Sequence, residues 1–582
     1  MTGSPLPSRV DAGEDSEVPR PTSTSQRIPV SQLSIVALIL TAIAALTQGL
    51  DYVPALFGDD WNQGVEQVLL GNARWIDFGR LRPLLFAPFL ALHAAFGMAF
   101  DWWYLAVFGL YPATALVLYA ILLRLPCRVS KSQALFAAAL FLVYPTNFTH
   151  MWLTAAHYYL ALLLALGHAL CLLLFVRGCQ FAYLAVSFLL LLPSLGLYEA
   201  QLGIVALWPC ILFVAFRGER GLALRLWTFA PGLLGVGLSL AHVLTFRSPD
   251  IYYNVTRTNL DLADLASRLA LGYKVSLLWG WTRCVRELFL PDAVTAAIAT
   301  GLCGSVLAAL YAGRAVTGPQ GRSRAIGESV SRGAVGFVMV AAGYLPVITM
   351  YLPNLSGFGS RFNLWASIGS AVLATSVIVA LARLLGVQAE KEDRLVWAAG
   401  APLLLLGALC QISVQERAKQ AWSEQQEIWK GTFEVAPSFQ GGTMVLFVLP
   451  GYEEEHSYET WGRTPFAAGW DAASGLRMMY GDSTLDADVF FPNVESEPGP
   501  DLIAQGVRNW RTGKVVPYEN VTAFRYERHG GELVRMEILP ARYVQAATGD
   551  VRLCKDCIRE SAPREAGLAM RRLAAPSAAG EE

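Results

Sequence analysis

The feature that most restricts this chain is a series of long apolar runs that carry no charge. Ile28–Leu50 and Trp102–Leu123 contain no Asp, Glu, Lys or Arg. Ser132–Val176 is an uncharged run of double length, broken by Tyr144-Pro145-Thr146-Asn147, and reads as two helices and a turn. Gly178–Phe216 is a second double run, interrupted only by Glu199. Further runs are Leu226–Phe246, Ala293–Gly313, Gly333–Tyr351, Phe362–Ala382 and Leu395–Val414. A helix of about 20 residues spans a bilayer. In lipid such a run must close its own backbone hydrogen bonds, which a helix does. The expected fold is therefore an all-α polytopic membrane protein with about 11 transmembrane helices.

Pro83–Phe100 is apolar and long enough to be a twelfth. Lys and Arg favour the cytoplasmic side in short loops. If Pro83–Phe100 lies along the outer interface and the N-terminus is cytoplasmic, the short basic loops all fall inside. They carry Arg124, Arg128 and Lys131; Arg177; Arg217, Arg220 and Arg225; Arg314, Arg322, Arg324 and Arg332; and Lys391 and Arg394. A spanning Pro83–Phe100 would put most of them outside, so an outer juxtamembrane helix is expected there. The loop 247–291 is then outside, although it carries Arg247, Arg257, Arg268, Lys274, Arg283 and Arg286.

An odd number of spans puts the C-terminal segment outside. Glu416–Lys430 has helical spacing of Ala418, Trp422, Gln425 and Trp429, and Thr443–Leu449 reads as a buried strand before Pro450-Gly451. The expected division is a disordered cytoplasmic tail at 1–27, a transmembrane domain at 28–414 and a small α/β extracytoplasmic domain at 415–582. The first outer loop and its juxtamembrane helix occupy 51–101. Charged residues make up 16% and the net charge is −1, with no basic cluster, so nucleic acid is not a partner. Cys554-Lys555-Asp556-Cys557 is the one close cysteine pair, and outside the membrane it reads as a local disulfide.

Candidate chemistry sits on the outer side. The first outer loop holds the adjacent carboxylates Asp59 and Asp60, which repel each other unless water, a metal or a cationic partner compensates. A positioned carboxylate can take the proton of an attacking hydroxyl. Arg80, Arg82, Lys274 or a bound divalent metal ion are the cations that would balance the pair. The bland alternative is a solvated loop. Glu199, next to Tyr198, is the lone charge of its run, and intramembrane acids are functional by default. Arg361 follows the Gly-rich stretch Asn354–Ser360, where its planar fork could hold a lipid phosphate or simply snorkel. His150 and His157 flank an outer turn without the ligand spacing of a zinc site.

Gly58-Asp59-Asp60-Trp61, then Gly79-Arg80-Leu81-Arg82-Pro83-Leu84, then an apolar stretch ending in Phe96-Gly97, resemble the GT-C superfamily of membrane glycosyltransferases. The protein O-mannosyltransferases and lipid A aminoarabinose transferases are the nearest in pattern. The resemblance covers roughly the first 200 residues. It implies transfer of a sugar from a polyprenyl-phosphate carrier to a hydroxyl of a glycan, lipid or protein acceptor, with inversion, at a bacterial plasma membrane. It implies Asp59 as general base with Asp60 beside it. Many relatives have a further Asp in the next outer loop, whereas here Thr149–His157 has none, so Glu199 or His157 takes that place or the acceptor site differs. With Tyr198, these residues make the candidate site. A transporter or flippase would favour internal repeats and broken helices with charges at mid-membrane. A non-catalytic scaffold would need neither Glu199 nor the acid pair.

Overall fold

The structure, a computed structural model, describes residues 28–48, 56, 60–66, 68, 82–126, 129–218, 220–245, 261–287, 322–349, 351–355, 358–385, 387, 389–452, 464–466, 469–492, 500–509, 513–528, 531–545 and 549–559. The expected run 293–313 lies outside them.

The chain is a polytopic helical membrane protein with a small strand-containing C-terminal region. Among the described residues, seven helices are long and apolar enough to cross a membrane. They lie in α1 (Val30–Gln48), α3 (Phe100–Leu122), α5 (Ala155–Gly178), the pair α8 (Leu222–Trp227) and α9 (Phe229–Thr245), α12 (Arg322–Ile348), α13 (Asn363–Leu384) and α14 (Ala389–Val435). Three more of the expected runs are shorter apolar helices: α4 (Lys131–Leu142), α6 (Phe181–Leu197) and α7 (Leu202–Ala215). The breaks at 143–154 and 198–201 fall where the two double-length runs were interrupted. Pro83–Phe100 forms only the ten-residue α2 (Ala87–Phe96), about 15 Å long and half the depth of a bilayer core. Two further helices, α10 (Leu262–Lys274) and α11 (Gly280–Glu287), flank a π-helical turn at Val275–Trp279.

Small residues set a close crossing between α12 and α13. A Cβ at Gly343 would meet the backbone of Trp365 and Ala366, and one at Gly369 would meet that of Met339 and Val340. Lipid offers no hydrophobic drive between helices, so backbone approach over small residues supplies the packing. Asn363, at the start of α13, accepts a hydrogen bond from Tyr344 Oη at 2.7 Å and donates to the carbonyls of Thr146 at 3.0 Å and Asn354 at 2.7 Å. These bonds fix the end of α13 against the turn between α4 and α5.

At the opposite end, buried polar groups tie four helices. Arg383 forks onto Glu392 at 2.8 and 2.9 Å, Gln133 donates to Glu392 at 2.6 Å, and Arg332 donates to Gln133 at 2.8 Å.

α14 has 47 residues, about 70 Å, and continues through residue 414 into the C-terminal region. There β1 (Ser438–Phe439) precedes β2 (Met444–Val448), which is entirely buried and pairs in parallel with β3 (Asp486–Phe490) and β7 (Val521–Tyr526); β8 (Leu533–Met536) pairs antiparallel to β7, and β4 (Asp501–Ile503), β5 (Gly506–Arg508) and β6 (Val515–Val516) form a separate antiparallel sheet. Helix α15 (Gly469–Tyr480) crosses between β2 and β3. Alternation along β2 sends Val445 and Phe447 toward the α14 side and Met444, Leu446 and Val448 into a second core with Leu502 and Val507. A disulfide joins Cys554 and Cys557.

Candidate functional site

The turn Tyr198–Gln201 between α6 and α7 collects most of the candidate residues. Pro193 and Gly196 precede it, and Gln201 Nε2 reaches back to the Ser194 hydroxyl at 2.8 Å, which holds the turn closed. The first-loop segment Arg82-Pro83-Leu84 docks on it, with the Leu84 N–H donating to the Gly196 carbonyl at 3.0 Å. Gly196 leaves space that the Leu84 side chain fills to within 3.1 Å of where a Cβ would sit. This docking puts the Arg82 guanidinium in a forked pair with Glu199, at 2.7 Å from Nε and 2.5 Å from Nη2. The same guanidinium lies 4.1 Å over the Tyr198 ring.

Aromatic rings wall this pair. Tyr198 stacks on Trp365 of α13 at 5.4 Å and 9°, and meets Tyr158 of α5 edge-on at 4.8 Å. His157, fully buried, lies 3.9 Å from the Tyr158 ring, 5.8 Å from Tyr198 and 5.9 Å from Phe89 of α2. Arg361, 5% exposed, approaches the same wall from the start of α13, 5.8 Å over Tyr158, 5.9 Å over Tyr351 and 4.9 Å over Phe362. A guanidinium is weakly hydrated and stacks on ring faces, so it tolerates such a place better than an ammonium does.

The electrostatics follow from this geometry. Partial burial pushes the Glu199 carboxyl up, its side chain being 45% exposed, but the Arg82 charge and its hydrogen bonds outweigh that and hold it below the usual carboxylate value, with Arg361 assisting. Glu199 is therefore ionised and offsets Arg82. Burial pushes the Tyr198 phenol up to about 12 against the pull of both arginines. Arg82, Arg361 and Glu199 together leave one positive charge at an aromatic-walled site.

Asp60 joins from the first loop. It opens a π-helical turn, Asp60–Glu66, and accepts the Thr154 N–H at 2.6 Å while fully buried. Thr154 caps α5, and His157 and Tyr158 stand on the next turn of that helix. Asp59 and Arg80 lie outside the described residues. Lys274 is exposed at the end of α10, with its ammonium 4.1 Å over Trp279. Among the described residues no group of three or more His, Cys, Asp and Glu is arranged to hold a metal ion.

Arg82, His157, Tyr198, Glu199 and Arg361, singled out in the sequence, meet here around a wall of rings that the sequence did not mark. Tyr158, Trp365 and Phe89 read as ordinary apolar-run aromatics, and only the run of three ring residues His157-Tyr158-Tyr159 after the turn offered a signal.

Fold and site define a multi-pass membrane protein with a charged, aromatic-lined cluster at the end of the bundle that bears the strand-containing region. No family model matches the chain, and no curated protein matches it. Among solved structures, the chain is similar to the crystal structure of ArnT from Cupriavidus metallidurans bound to undecaprenyl phosphate. That alignment has 16% identity and a TM-score of 0.30, and covers 75% of this chain and 85% of that one. A likeness this distant says nothing of what the chain does.

Proposed function

We propose that the chain is a glycosyltransferase of a bacterial plasma membrane. It would move a sugar from a polyprenyl-phosphate carrier to an acceptor hydroxyl of a glycan, lipid or protein on the outer face. The observation that carries this reading is the meeting of Arg82, Arg361, His157, Tyr198 and Glu199, with Asp60 bonded one turn away on α5. A sugar leaving a phosphate builds negative charge on the phosphate oxygens, and fixed cations aimed there stabilise the transition state. Arg361 is the residue we assign to the phosphate, because its fork matches phosphate oxygens and aromatic rings hold it rigid. Arg82, fixed by Glu199, supplies a second positive charge.

The acceptor hydroxyl must lose its proton as it attacks from the face opposite the phosphate, which inverts the sugar carbon. We assign that proton to Asp59, with Asp60 as its supporting acid. The N-terminus would be cytoplasmic and residues 415–582 extracytoplasmic, as the short basic loops demand.

The direct test has two parts. Mass spectrometry of cell-surface glycans from a deletion strain should show loss of one sugar substituent. Purified protein should then restore it from a polyprenyl-phosphate-linked form of that sugar. An unchanged glycan profile would sink the reading.

A further inference from the structure

The strand-containing region holds the first loop by a contact that chemistry at the loop does not by itself require. Arg477 of α15 donates to Glu66 Oε1 at 2.9 Å and Oε2 at 3.2 Å. The pair is almost dry, with 5% of the Arg477 side chain and none of Glu66 exposed. Arg477 is itself fixed by the Leu485 carbonyl at 2.8 Å and Asp486 at 2.9 Å, on either side of the start of β3. Glu66 closes the π-helical turn that Asp60 opens. Between them, Trp61 is buried against Trp422 and Trp429 of α14, ring centroids 6.4 Å away in each case. The turn is thus gripped at one end by α5 through Asp60, in the middle by α14, and at the other end by α15.

We propose that Arg477 is a positioning residue: through Glu66 it sets the geometry of Asp60 at the other end of the turn, so the strand-containing region is part of the catalytic apparatus. This rests on the transferase reading for its catalytic consequence, while the clamp itself does not. A salt bridge sealed from water contributes little net stability compared with apolar residues of similar size, whereas removing one partner strands the other charge. A role in placement explains its presence better than a role in stability.

The test compares wild type, Glu66→Leu/Arg477→Met and Arg477→Lys in lipid nanodiscs. The readouts are hydrogen exchange of residues 60–66 and steady-state transfer from the polyprenyl-phosphate sugar. The double variant, which also leaves Asp486 and the Leu485 carbonyl without Arg477, should stay folded with a modestly lowered unfolding temperature but lose protection at 60–66. Its kcat should fall on the order of 100-fold, with KM for the carrier within about twofold because Arg361 is untouched. Arg477→Lys, whose point charge cannot fork across Glu66 and Asp486 together, should fall between. If the double variant does not reach the membrane, the lysine variant carries the same comparison. Unchanged protection at 60–66 overturns the clamp whatever the turnover. Lost protection with wild-type kcat overturns the catalytic role. Lost protection in a protein whose wild type transfers no sugar leaves the clamp standing and removes the transferase reading instead.

Discussion

Arg361 and Asp488 show how differently two buried ionisable groups can be handled. Arg361 lies among Tyr158, Tyr351 and Phe362, a setting for a planar cation. Arg361→Lys keeps the charge and loses the fork, so affinity for the carrier phosphate should fall about tenfold, near 1.4 kcal/mol, in a nanodisc binding assay. Equal affinity would remove the role. Asp488 on β3 is fully buried, accepts the Val489 N–H at 2.9 Å with one oxygen and has no partner for the other among the described residues. Burial above all, then Asp486 and Asp471, push its carboxyl up to about 8. The folded value exceeds the ordinary 3.8, so folding takes up a proton between those values and stability falls as pH rises from about 4 to about 8. Asp488→Asn should match wild type near pH 4 and exceed its unfolding temperature above pH 8. Parallel curves would show that the carboxyl does not titrate in that window. Sequence exposed part of this scale: Glu199 stood out as the lone charge of an apolar run, but its partner Arg82 is 117 residues away, which no local pattern reveals.

At the level of elements, hydropathy located the helices better than it sized them. The breaks beside Tyr144–Asn147 and Glu199 were legible because Pro, Asn and a charge interrupt uniform apolar runs. The length of α14 was not. Its apolar stretch stops near Val414 while its helical spacing continues, and a hydropathy window reads the change of surroundings as an end. The register of α12 on α13 was also hidden, since glycines in a span look alike until one sees which touch backbone. Gly343→Leu puts a side chain into Trp365 and Ala366, forces the helices apart and displaces both Trp365 and Arg361. The loss should be about 1–3 kcal/mol or more, read as reduced monodisperse protein on size-exclusion chromatography. Gly327→Leu, at a position with open space around it, is the control that should behave as wild type. Equal yields of the two variants would mean that the crossing is looser than described.

For the whole molecule, two ends of the bundle carry different polar work. One end ties helices through Gln133, Arg332, Arg383 and Glu392; the other gathers Arg82, Arg361, Glu199 and the first loop beneath the strand-containing region. The proposed topology would put the second end outside, so alkaline phosphatase fused after residue 582 should be active in cells. An inactive fusion with intact expression would reverse the orientation. That this region grips the first loop was beyond sequence, because Glu66 and Arg477 are 411 residues apart and each reads as a surface charge. In the proposed transferase the loop acids do the chemistry. Asp60→Asn preserves the acceptor for the Thr154 N–H through its amide oxygen, and Asp59→Asn preserves shape, so neither should disturb folding or carrier binding. Single-turnover transfer from a polyprenyl-phosphate sugar should drop about 10²–10⁴-fold in Asp59→Asn and less in Asp60→Asn, with carrier affinity unchanged. Wild-type transfer rates in both variants would contradict the transferase reading and leave Asp60 only a buried acceptor for the Thr154 N–H.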